Sequence, residues 1–80
     1  MNYVYVLKSL KDNKRYIGLT NNLENRLIEH NNGRVTATKN RIPFELLYFE
    51  EYDSREIAAQ REKFLKTGKG REFLDSKNIK

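Results

Sequence analysis

Tyr3-Val4-Tyr5-Val6-Leu7, then Lys11-Asp12-Asn13-Lys14, then Arg15-Tyr16-Ile17-Gly18: the reading of the fold turns on this stretch. The β-branched and aromatic residues from Asn2 to about Leu10 favour an extended strand. The four polar residues supply turn chemistry, and Arg15 to Gly18 returns as a short second strand. Alternation puts Tyr3, Tyr5 and Leu7 on one face, with Val4, Val6 and Lys8 on the other. In an odd register of pairing, Tyr5 and Tyr16 emerge on the same face.

A helix is predicted next. Asn21 stands three residues before Glu24 in a capping-box relation, Leu23 and Leu27 share an apolar stripe, and Asn31-Asn32-Gly33 ends the helix. Arg34 to Pro43 has no periodicity and reads as a polar loop. Phe44 to Tyr52, aromatic and apolar, makes a third strand, expected at the centre of the sheet. Asp53 or Ser54 caps a second helix whose Ile57, Ala58, Arg61, Phe64 and Leu65 share a face. Gly68-Lys69-Gly70 breaks that helix before a short final one carrying Phe73 and Leu74. The predicted class is α+β: a small three-stranded sheet, mixed or antiparallel, flanked by helices in the order ββαβαα.

At 80 residues, positions 1–80 make one domain with a thin core. Cysteine is absent, which excludes disulfides, a thiolate zinc site and a cysteine nucleophile. No apolar run approaches a membrane span, and the N-terminal stretch lacks the marks of a signal peptide, so a soluble cytoplasmic protein is expected. The formal charge of +5 suits an anionic partner, nucleic acid first. Arg34, Lys39 and Arg41 share one loop, and Lys63, Lys66, Lys69, Arg71 and Lys77 crowd the C-terminal quarter, a distribution suited to phosphate contacts.

Tyr3-Val4-Tyr5 and Tyr16-Ile17-Gly18 resemble the paired tripeptides of the GIY-YIG nuclease superfamily, whose fold has a similar element order. The downstream series strengthens the likeness: Leu23 to Leu27 with His30, Thr38-Lys39 before Pro43, and Arg61-Glu62-Lys63 leading to Lys66-Thr67-Gly68-Lys69-Gly70-Arg71. Nearly the whole chain resembles the small stand-alone bacterial members, related to the nuclease domain of the excision-repair endonuclease. Two positions depart from the pattern: Tyr3 replaces a glycine, and Leu19 and Thr20 stand where a basic residue often follows.

Phosphodiester hydrolysis needs a positioned water, a proton acceptor, a cation on the phosphoryl oxygens and a metal ion near the leaving oxygen. The resemblance implies that Tyr16 activates the water. A phenol ordinarily ionises only near pH ~10, so this role needs cations close by. It further implies that Tyr5 orients the water or phosphate and that Gly18 leaves room for substrate to approach the backbone. Arg26 and His30, four apart on one helix, would clamp the phosphate and donate to substrate or accept the proton. Glu62 is the expected single protein ligand of a weakly held Mg²⁺ or Mn²⁺. Lys8, Gly18, Arg34, Thr38, Lys39, Arg41, Lys66 and Lys69 are the expected nucleic-acid contacts.

The implied activity is metal-dependent cleavage of DNA linked to repair or recombination, its selectivity coming from DNA structure (branched, nicked or single-stranded forms) or from a protein partner. Two other classes fit the residues: a nuclease-fold module that binds nucleic acid without cutting, and a basic protein-interaction domain. Arg61, on the apolar stripe, is expected to be held by an internal salt bridge and to serve structure.

Overall fold

The computed structural model describes residues 1–80. Its elements are β1 (Asn2–Ser9), β2 (Arg15–Thr20), α1 (Leu23–Asn31), β3 (Phe44–Tyr52), α2 (Arg55–Leu65) and α3 (Gly68–Ser76), which is the ββαβαα order predicted. The sheet is antiparallel throughout, in the strand order β2-β1-β3.

The expectation of a central third strand is therefore corrected: β1 is central, and β3 is an edge. Burial explains why. Val4, Tyr5, Val6 and Leu7 are almost wholly buried in succession, so β1 is covered on both faces. Such a run belongs to a central strand, whereas β3 exposes Glu45, Phe49 and Glu51. On one face, Val4 and Val6 pack with Ala58, Leu65 and Leu74 from α2 and α3. On the other, Tyr5, Leu7 and Phe44 pack with Tyr16, Leu23 and Leu27. A bulge between Val6 and Leu7 shifts the pairing with β3, setting Val6 opposite Tyr48 and Leu7 opposite Leu46.

Local signals fix the helix ends, with two shifts from expectation. The N-cap of α1 is Asn22, whose side chain accepts from the Asn25 amide, and not Asn21. Ser54 caps α2 in the same way. The break after α2 falls at Lys66 and Thr67; Thr67 caps α3, and both glycines lie inside its first turn. Gly70 is there for proximity, because a β-carbon on it would stand 2.2 Å from the Phe64 carbonyl oxygen. Of the stripe predicted for α2, Ala58 and Leu65 are buried, while Ile57 and Phe64 remain exposed.

Arg61 does serve structure. Its guanidinium grips the Glu50 carboxylate in a two-pronged pair, with Nε at 2.8 Å from Oε1 and a terminal nitrogen at 3.0 Å from Oε2. It also lies 5.1 Å from the Phe64 ring centroid and 4.7 Å from that of Phe73. Tyr48 and Tyr52 donate to the same carboxylate. Burial raises the Glu50 pKa, but the hydrogen bonds from Arg61, Tyr48 and Tyr52 outweigh it and leave the carboxyl below its ordinary value.

A carboxyl depressed on folding contributes stability that is complete above the unfolded pKa and is lost as pH falls through the folded one. Between about pH 5 and about pH 3, the urea midpoint of the wild type is thus expected to fall more steeply than that of Glu50→Gln. Parallel declines would mean that Glu50 is not the group responsible.

Candidate active site

The odd register is realised: Tyr5 pairs with Gly18 and Leu7 with Tyr16, so both tyrosines project from the face covered by α1. Gly18 is buried against Tyr5, and a β-carbon there would lie 2.4 Å from the ring. Its lack of a side chain makes room for Tyr5, which corrects the expectation that substrate uses that space.

Around this pair the fold gathers His30 and Arg26 from α1. The Tyr16 and His30 rings meet edge to face at 5.1 Å between centroids, and the Tyr5 and Tyr16 rings stand 6.4 Å apart. His30 is fully buried. One ring nitrogen, Nε2, is 2.8 Å from the Tyr5 hydroxyl, and the other, Nδ1, is 2.8 Å from the Thr38 hydroxyl. Burial, and after it the charge of Arg26, holds the imidazole below its usual pKa, so the ring is neutral at pH 7.

Tyr5 is 1% exposed. Its phenol is raised by burial, pulled back by the Arg26 guanidinium beside it, and raised further by the charges of Tyr16 and Glu62. Neither Tyr5 nor His30 reaches solvent, which corrects the expectation that they contact water or substrate directly. Arg26 is about one-third exposed and pairs with Glu29 at 3.2 Å, while its buried Nε has no acceptor in the chain.

Glu62 reaches the same neighbourhood from α2, near enough for its charge to be felt at Tyr5. Its carboxylate is 3.2 Å from Lys66 one turn on. The chain contains no cluster of three His, Asp or Glu side chains able to enclose a metal. A lone hard-oxygen donor suits an ion such as Mg²⁺ that keeps most of its waters and takes substrate phosphate as ligand.

The expected nucleic-acid contacts divide. Arg34, Lys39, Lys66 and Lys69 are exposed, and Lys8 is half-buried opposite Arg15 and Glu45. Thr38 is fully buried against His30 and so cannot touch a nucleic acid. Arg41 is committed to Asp12 at 2.7 Å and to the Lys14 carbonyl, clasping the loop to the β1–β2 turn. That pairing, with the Lys14 amide, holds the Asp12 carboxyl down at about 2.

Tyr16 opens instead on a cleft along the free edge of β2, where Lys14, Lys66, Arg71 and Lys80 also stand. Near the other end of β2, Arg26 and Arg55 line a second, polar groove. Lys14 and Lys80 are not among the expected contacts, and Arg71 reads from sequence only as one of a basic cluster; the approach of α3 to the hairpin brings them to the same cleft as Tyr16.

A family model described as the GIY-YIG catalytic domain matches residues 1–75. A UPF0213 protein of Clostridium perfringens is 43% identical, the alignment covering 100% of this chain and 89% of that protein. Another, from Natronomonas pharaonis, is 44% identical over 81% of this chain and 76% of its own length. The solution NMR structure of a UPF0213 protein from Bacillus halodurans superposes with a TM-score of 0.57 at 34% identity, covering 95% of this chain and 84% of that one.

Proposed function

The chain belongs to the GIY-YIG family of nuclease domains, and from that premise we propose that it is a metal-dependent endonuclease cutting DNA along the edge of β2. The observation that carries the reading is the contact of Tyr16 with a buried Tyr5–His30 pair, beside a cleft that Lys14, Lys66, Arg71 and Lys80 also line.

The roles follow from chemistry and exposure. Lys14, Lys66, Arg71 and Lys80 neutralise backbone phosphates and align the strand. Arg26, about one-third exposed, turns its terminal nitrogens to the nonbridging oxygens, where negative charge grows as the bond to phosphorus breaks. The Tyr16 hydroxyl holds the attacking water and takes its proton. Tyr5 and His30 keep Tyr16 and Arg26 in place from behind. Glu62 would hold a divalent ion, which when bound supplies charge stabilisation at the leaving oxygen. We assign selectivity to DNA structure, namely flaps, nicks and single strands, or to a protein partner, in repair or recombination.

The test is incubation of labelled single-stranded, nicked, flapped and duplex DNA with the wild-type protein and Mg²⁺ or Mn²⁺. Metal-stimulated cutting is expected, together with an affinity that declines steeply as salt rises. Steep salt dependence without any cutting would reduce the protein to a binding module. Flat salt dependence would remove nucleic acid as the partner.

A further inference from the structure

We propose that Thr38 is a positioning residue: it accepts the Nδ1–H of His30, fixes the imidazole in one tautomer and thereby sets the direction of the Tyr5–His30 hydrogen bond. The catalytic part of this role rests on the nuclease reading above; the hydrogen-bond part does not.

The direction of the chain is set from its Thr38 end. The Thr38 hydroxyl has one hydrogen, and the Val35 carbonyl, 3.5 Å away, can only accept it. Thr38 Oγ1 is then the acceptor for the proton on His30 Nδ1, 2.8 Å away. A neutral imidazole that carries its proton on Nδ1 accepts at Nε2, where the Tyr5 hydroxyl donates from 2.8 Å.

Donors and acceptors run one way, from Tyr5 through His30 and Thr38 to Val35. Reversal would turn the Thr38 hydrogen away from the Val35 carbonyl. His30 and Thr38 are both 0% exposed, so water cannot stand in for either partner. The Arg34–Pro43 loop thus does more than connect α1 to β3: it delivers the hydroxyl that polarises the site from beneath.

Removing only that hydroxyl, as in Thr38→Val, leaves Nδ1–H without an acceptor. The ring then moves its proton to Nε2, Tyr5 becomes the acceptor, and the Tyr5 hydrogen is turned against Arg26. The phosphate clamp is displaced while the substrate-facing lysines are untouched. The expected effect is a kcat lower by about 10- to 100-fold with KM nearly unchanged, the range usual when a group orienting a catalytic side chain is lost.

His30 is the only histidine, so ¹⁵N spectra of the labelled full-length protein give one imidazole pair to read. The wild type should show a protonated Nδ1 and an unprotonated Nε2, Thr38→Ser should keep that pattern and its cleavage rate, and Thr38→Val should lose both. A wild type protonated at Nε2 overturns the proposal without any variant, so it stays testable even if Thr38→Val fails to fold. An unchanged tautomer in folded Thr38→Val overturns it too. So does a changed tautomer with unchanged kcat. A wild type that cuts nothing, yet shows the expected tautomer and its loss in Thr38→Val, sinks the nuclease reading and leaves the hold of Thr38 on His30 standing.

Discussion

Glu62→Ala and Tyr16→Phe are each expected to lower metal-stimulated DNA cleavage by about 10²- to 10⁴-fold, the contribution usual for a positioned proton acceptor or metal ligand, with thermal stability almost unchanged. The separation of the two readouts is the point. The Glu62 side chain is 23% exposed and bonded to a Lys66 that is 55% exposed, an arrangement worth about 0.3–0.5 kcal/mol on a helix surface. Tyr16 packs through its ring, against His30 at 5.1 Å and Phe44 at 6.5 Å between centroids, and phenylalanine keeps both contacts. Cleavage that survives both substitutions would clear these residues of the chemistry. A Glu62→Ala protein that melts many degrees lower would mark the carboxylate as part of the scaffold instead.

Gly70→Ala is expected to be among the most destabilising single-methyl additions in the chain. The new β-carbon would lie 2.2 Å from the Phe64 carbonyl oxygen, 2.4 Å from the Leu65 α-carbon and 2.6 Å from its carbonyl carbon. All three are backbone atoms of α2 and its final turn, so no side chain can swing aside and α3 as a whole must retreat. Retreat pulls Leu74 away from Leu65, Val4 and Val6, the centre of one core face. Overpacking of this kind costs about 1–3 kcal/mol and more where backbone must move, so about 3 kcal/mol is the expected loss. In a domain of this size that lowers the melting temperature by roughly 12–24 °C. Gly68→Ala is the control, because nothing lies within 4 Å of its added carbon. Equal melting temperatures for the two variants would show that α2 and α3 are not in such close contact.

How much of this was legible in the sequence follows from the range of each signal. The boundaries of β3 were, since nine aromatic, apolar and acidic residues between Pro43 and Asp53 admit little else. The shared face of Tyr5 and Tyr16 was legible as well, because register in a hairpin is a local matter. Strand order was not: the pairing of β1 with β3 joins Ser9 to Phe44 across a helix and a loop, and alternation alone does not say which strand has two neighbours. The burial of Val4 through Leu7 in unbroken series held the answer.

The site divides in the same way. Tyr5, Tyr16, Arg26 and His30 could be selected through the resemblance that their motifs carry, yet their division into buried and exposed members depends on how α1 settles on the sheet. Thr38 read as a phosphate contact because it precedes a lysine in a polar loop; only the fold of that loop turns it inward.

The position of β1 also bears on how the chain is made. The strand first in sequence order is apolar on both faces, and the residues that cover Val4 and Val6, Leu65 and Leu74, come last. With translation at about 5–20 residues per second, those valines stay bare on the ribosome for a time on the order of seconds. During that interval the nascent hairpin is the part of the molecule most prone to wrong association. A premature stop before α3 would make that temporary exposure permanent.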